Sequence, residues 1–172
     1  MTTPIEVRRA RPDEHAAVAQ LSARVYLDEG WADASYVPVL RDVDARAREA
    51  TVLVAVDAGR VVGAVTVATR GGRYAEQAGP GEAVVRMLVT EPAERGRGTG
   101  LALLQACLDT AAADGCARVL LSTQPEMVAA HRLYDRLGFV RRPDLDWRPV
   151  PDLLLLCYAL ELAGPEAVTR AG

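Results

Sequence analysis

Apolar residues recur along this 172-residue chain at two spacings, near 3.6 and near 2, and their alternation predicts the order of its elements. Ile5 to Arg9 alternates apolar and charged side chains, the pattern of a half-exposed strand. Pro12 is tolerated in a first helical turn, and Asp13 and Glu14 suit the positive end of a helix dipole. The helix they open runs to about Leu27, with Val18, Leu21 and Val25 on its buried face. Asp28 to Ser35 breaks that pattern. Tyr36 to about Ala47 reads as a second helix with Val37, Leu40 and Val43 inward, on condition that Pro38 sits in its first turn.

Two β-branched runs follow, Thr51 to Val56 and Arg60 to Ala68, separated by Asp57-Ala58-Gly59, which is a hairpin signal. A glycine-rich loop occupies 70–81. Glu82 to Thr90 then predicts an apolar central strand, and Leu101, Leu104, Leu108 and Ala111 share one face of the next helix, closed near Gly115. Val119 to Thr123 is short and apolar enough for another central strand. Met127 to Leu137 predicts a helix with Ala130, Leu133 and Leu137 on one side, stopped by Gly138. Phe139 to Arg142 and Leu153 to Leu162 are the last strands. No repeat or linker divides the chain. The expectation is a single domain over 1–164 and a C-terminal tail over 165–172, with about seven strands and four helices. That order gives an α/β (mixed α+β) fold, a central mixed twisted sheet flanked by helices.

Composition narrows the class. Half of the residues are apolar and a quarter charged, which is globular and not disordered. The net charge is -3 and all 20 basic residues are arginine; without a clustered basic excess, nucleic acid is not an expected partner. The first residues lack the apolar core of a secretion signal, and no run approaches the roughly 18 apolar residues of a membrane span. Cys107, Cys116 and Cys157 are odd in number and widely spaced, with only two histidines to join them, so neither a disulfide framework nor a metal site is expected. A reducing cytoplasm fits this usage.

The candidate chemistry lies between Glu82 and Leu108. Gly96, Gly98 and Gly100 fall within five residues, directly before a helix. The first N–H groups of a helix have no internal partner, the dipole adds partial positive charge, and glycine lets a ligand approach the backbone. Arg95 and Arg97 add cations to the loop. A phosphate-bearing ligand is the first expectation. The nucleotide-binding pattern that ends in Gly-Lys-Ser/Thr is excluded, because the chain has no lysine, and the dinucleotide pattern fails because Leu101 or Leu103 stands where its third glycine should be.

What remains, Arg95-x-x-Gly98-x-Gly100, resembles the R/Q-x-x-G-x-G/A signature of the GCN5-related N-acetyltransferases. Ala130-x-x-Leu133-Tyr134-x-Arg136-x-Gly138-Phe139 is similar to a second segment of that family, placed some 30 to 40 residues later, as it is here. Arg86 to Thr90 and Pro92 look like the strand end before the loop, and the likeness covers about 51–162. The resemblance implies acetyl-CoA as cosubstrate, without a metal. Its pyrophosphate would lie on the amides of Arg95, Gly96, Arg97, Gly98, Thr99 and Gly100. Its pantetheine arm would pair with strand groups around Met87, Leu88, Val89 and Thr90 where that strand bulges, with Leu133 also against the cofactor. Tyr134 would assist the departing thiolate.

Two positions depart from the family pattern. The position of a glutamate that some members use as general base is Val84; Glu82, two residues earlier on the same face, is the candidate base in its place. Met127 stands where many members have asparagine. The implied activity is N-acetyltransfer, directly to a primary amine of a small molecule. The alternatives are an amino group of a protein or peptide, and a CoA-binding module without catalysis. Acceptor pockets in the family lie between the first helices and the last strands, which here brings Trp31, Tyr36, Asp146 and Trp147 together. Aromatic walls and carboxylates there suit a cationic amine. The apolar run from Leu153 also permits a homodimer.

Overall fold

The computed structural model describes residues 3–163. Eight strands are present: β1 (Glu6–Arg9), β2 (Thr51–Asp57), β3 (Arg60–Ala68), β4 (Glu82–Thr90), β5 (Arg118–Thr123), β6 (Val140–Arg141), β7 (Trp147–Val150) and β8 (Leu153–Glu161). Five helices accompany them: α1 (His15–Asp28), α2 (Val37–Arg41), α3 (Val43–Glu49), α4 (Thr99–Ala113) and α5 (Val128–Leu137). The tail expected over 165–172 lies outside the described residues.

The sheet runs β1-β2-β3-β4-β5-β8-β6, with β7 on β8. Only β4 and β5 pair in parallel, joined by α4; every other pairing is antiparallel. The β2–β3 hairpin turns at Ala58 and Gly59, both at positive φ (48° and 76°), the backbone that a tight hairpin needs. On one face of the sheet, Leu103, Leu104, Cys107 and Ala111 of α4 bury against Val65, Val85, Val119 and Leu121, with Tyr134 and Phe139 completing the cluster. On the other, Val18, Leu21 and Val25 of α1 meet Val52, Val54 and Val89. The period-3.6 stripes and the β-branched runs of the sequence are thus the two sides of one sandwiched sheet.

Two expectations need correction. The helix expected from Tyr36 to Ala47 is two, because Asp42 leaves helical geometry (ψ 65°) and caps α3, its carboxylate accepting from Ala45 N–H at 3.1 Å. Pro38 does sit in the first turn of α2. The segment between the last two expected strands contains β7, whose Pro149 a strand accepts only at an edge. β7 pairs with β8 alone, Trp147 opposite Leu155 and Val150 opposite Leu153. The three cysteines are free and buried.

Candidate active site

β4 changes its relation to both neighbours halfway along. On the β3 side, Ala64 faces Val89 and Thr66 faces Arg86, so Val65 alone opposes the two residues Met87 and Leu88. This is a β-bulge, with Met87 at φ 57°. On the β5 side the ladder stops at Val85 opposite Leu121, while β5 continues to Thr123 against β8. Beyond that point no ladder joins the two strands, which leaves a gap in the pairing on the β5 side of Arg86 to Thr90.

The start of α4 stands at the end of that gap. Gly98 caps the helix in left-handed geometry (φ 81°) without a side-chain cap. The first helical bond runs from Ala102 N–H to the Gly98 carbonyl (2.9 Å), so the amides of Thr99, Gly100 and Leu101 have no helical acceptor. Thr99 is buried, and its hydroxyl has no partner among the described residues. Two glycines allow the close packing that holds this helix end. A Cβ on Gly63 would come within 2.9 Å of Leu103 Cδ1, and one on Gly100 within 3.1 Å of Leu133 Cδ2.

Both loop arginines are tied to carboxylates. Arg95 donates to Glu29 (2.7 Å), and Arg97 donates to Asp57 (3.0 Å) and to Glu94. Asp57 first and Glu94 second raise the Arg97 pKa above its ordinary value. With those charges matched, attraction for a phosphate rests mainly on the backbone amides.

Tyr134, on α5, is buried between Phe139 (ring centroids 6.0 Å apart) and Tyr158 (5.5 Å). Burial pushes its phenol above the ordinary value of 10.0, while a side-chain hydrogen bond with Thr123 pulls the other way. The phenol is therefore protonated at neutral pH and able to donate. Thr123 ends β5, beside the gap, and its hydroxyl also reaches Met127 Sδ at 3.4 Å.

A sequence profile of the acetyltransferase (GNAT) family matches residues 15–139. The chain belongs to that family. No curated protein matches it in sequence. Among solved structures, a GNAT-family acetyltransferase from Staphylococcus aureus Mu50 superposes with a TM-score of 0.74 at 15% identity, covering 93% of this chain and 100% of that one. YncA, a putative acetyltransferase from Salmonella typhimurium solved with acetyl-CoA, gives 0.67 at 22% identity, covering 94% and 95%. A GCN5-related N-acetyltransferase from Kribbella flavida gives 0.68 at 25%, covering 92% and 98%. The GNAT fold expected from the sequence is the fold present, with eight strands and five helices in place of about seven and four. The domain is an N-acetyltransferase.

Several residues expected at a GNAT active site are engaged in other contacts. Glu82, the expected base, begins β4 at the end away from the bulge, on the order of 16 Å of strand from Met87. Its Oε1 accepts from Gly79 N–H (2.8 Å) and its Oε2 from Arg118 (3.0 Å). It caps a turn and pairs with Arg118. Val84 is buried. Asp146 accepts both Nη groups of Arg141 (2.6 Å each) and the amide of Cys157 (2.9 Å), so it is no free carboxylate either. Trp147 donates to Ser122 Oγ at 3.2 Å.

Trp31 and Tyr36 do border the sheet face above β4. The Gln124 side chain donates to the Trp31 carbonyl (2.7 Å), joining the α1–α2 segment to the end of β5. A cavity of about 380 Å³ opens there, between Glu29, Trp31, Gln124 and Glu126 on one side and Arg148 and Leu153 on the other. Of the four residues expected at an acceptor pocket, Trp31 lines it and Tyr36, Asp146 and Trp147 do not. A smaller hollow of about 160 Å³, at Arg9, Pro12 and Thr51, is on the β1 edge, apart from this chemistry.

Four residues near the bulge were not anticipated as functional: Tyr26, Arg46, Tyr74 and Arg86. A signal existed for Arg46. Leu40, Val43 and Arg46 recur three apart, so the inward stripe that named the first two includes the arginine as well.

Proposed function

We propose that this GNAT domain binds acetyl-CoA and transfers its acetyl group directly to the primary amine of a small molecule. The reading is carried by two features, the three amides at the start of α4 that lack helical acceptors and the bulged end of β4 left unpaired on its β5 side, with the Tyr134 phenol hydrogen-bonded to Thr123 at the end of β5.

The donor set fits a diphosphate. Amides of Thr99, Gly100 and Leu101 lack helical acceptors, the helix dipole adds to their pull, and the buried Thr99 hydroxyl has a free hydrogen-bonding capacity. Backbone groups of Met87 to Thr90 suit an extended amide chain laid in as an added strand. Leu133 closes the helix end beside Gly100. When bound, the coenzyme supplies an acetyl thioester. Tyr134 then has one task, to give its proton, or a hydrogen bond, to the departing sulfur. A thiol of ordinary pKa about 8.5 is a fair leaving group, so this help adds to the rate without being indispensable.

The open cleft of about 380 Å³ beside Trp31 is wide enough for a small amine. The purified protein with acetyl-CoA and a panel of amines should release free thiol only when a suitable amine is present. Failure to bind acetyl-CoA would remove the proposal.

A further inference from the structure

Arg46 heads the fully buried side chains, with a relative exposure of 1%. A guanidinium removed from water calls for an anion or a full set of acceptors, and Arg46 has neither. Its Nη2 donates to the Leu40 carbonyl (2.9 Å), its Nη1 touches Met87 Sδ, and its Nε has no partner among the described residues. Arginine stays charged inside a protein.

Arg86 lies on the other side of Met87 in the same strand, and its partners are neutral as well. Its Nη2 donates to the Tyr36 hydroxyl (3.2 Å), its Nη1 reaches the Arg73 carbonyl (3.5 Å), and its Cζ stands 5.8 Å from the centre of the Tyr74 ring. Carboxylates on adjoining segments are committed elsewhere. Asp42 caps α3, and Glu49 is held by Arg73 in two bonds of 3.0 Å.

Tyr26 of α1 packs against the same cluster as Met87 and Tyr74. It stands edge-on to Trp31, with centroids 5.6 Å apart. Burial raises its phenol pKa, Tyr36 and Tyr134 add to the rise, and Arg46 and Arg86 oppose it.

We propose that Arg86, backed by the buried Arg46, is an anion subsite on the acceptor side of the β4 bulge, and that the acceptor is an amine bearing a carboxylate, as a free amino acid does. This rests on the acetyl-transfer reading and reverses the charge expected from the sequence, where free carboxylates were to meet a cationic acceptor. A planar carboxylate matches the guanidinium fork of Arg86. Its arrival also supplies the countercharge that Arg46 lacks.

The test is thiol release from acetyl-CoA with free amino acids, their primary amides and the corresponding decarboxylated amines. The best acceptor should lose about ten- to a hundred-fold in kcat/KM when its carboxylate becomes an amide, as for a lost charged hydrogen bond. Arg86→Gln should shrink the acid-to-amide ratio by a similar factor, mainly through KM, and Arg86→Lys should restore part of it. Arg86 is only half-buried, so these variants are expected to fold. The inference falls if the fastest acceptors carry no carboxylate, or if Arg86→Gln leaves the ratio unchanged. It falls too if acetyl-CoA binds and no amino acid is acetylated, and in that case the coenzyme reading stands. Absence of acetyl-CoA binding removes both.

Discussion

Tyr134 illustrates how burial prepares a group for one role. Desolvation favours the neutral phenol, so the hydroxyl that Thr123 orients is a donor and not a base. Replacing Tyr134 with Phe should lower acetyl transfer by about ten-fold or more and leave acetyl-CoA affinity nearly unchanged; steady-state kinetics beside calorimetry separates the two. Gly98 is the opposite case, a residue chosen for its backbone. At φ 81° a β-branched side chain is strained, and Gly98→Val should weaken acetyl-CoA binding by roughly ten-fold, from about 1–2 kcal/mol of left-handed strain. Unchanged affinity in that variant would speak against the amides as the phosphate site. Tyr134 and the glycines were legible in the sequence because a motif fixes their spacing. The ion pair of Glu82 was not legible, because alternation gives the face of a strand but not the partner across it, and here Arg118 is that partner.

Among the elements, β4 does the most positioning: one extra residue at Met87–Leu88 and the early end of its ladder with β5 open the gap. Neither feature leaves a trace in hydrophobic alternation, and the bulge was expected only through family likeness. The approach of α4 to β3 depends on Gly63, where an added Cβ would meet Leu103 at 2.9 Å and the Val89 carbonyl at 3.2 Å. Because one of those neighbours is backbone, Gly63→Ala should cost about 1–3 kcal/mol, read from the urea midpoint. At the start of α1, Glu14 joins the turn to β1 by two bonds to Arg8, 2.7 and 2.9 Å. The Arg8 hydrogen bond holds its carboxyl at about 2, below the ordinary 4.5. A lowered folded pKa contributes stability that is complete above the unfolded value and lost as pH falls through the folded one. Relative to Glu14→Gln, the native protein should lose stability between pH 4.5 and about 2. Parallel acid titrations of the two would contradict the assignment.

For the molecule as a whole, the sheet joins both helical layers in one domain, and the order of most elements followed from sequence periodicity and turn residues. The edge strand β7 and the break at Asp42 did not, since a Pro-containing edge and a side-chain cap depend on neighbours distant in sequence. No helix among the described residues is long and apolar enough to cross a membrane. Because the proposed coenzyme gap lies between β4 and β5 at the middle of the sheet, its occupancy should stabilise the entire fold. Acetyl-CoA at about a hundred times its Kd adds roughly 2.7 kcal/mol, and the thermal midpoint should rise by about 5–10 °C.

The central claim is that the amides at the start of α4, Thr99 to Leu101, hold a diphosphate. Calorimetric titration of the wild-type protein with acetyl-CoA and with S-acetylpantetheine, which has the same thioester arm without the diphosphate, tests it most directly. Acetyl-CoA should bind on the order of a hundred-fold more tightly, as for two charge-assisted contacts; equal affinities for the two would contradict the account.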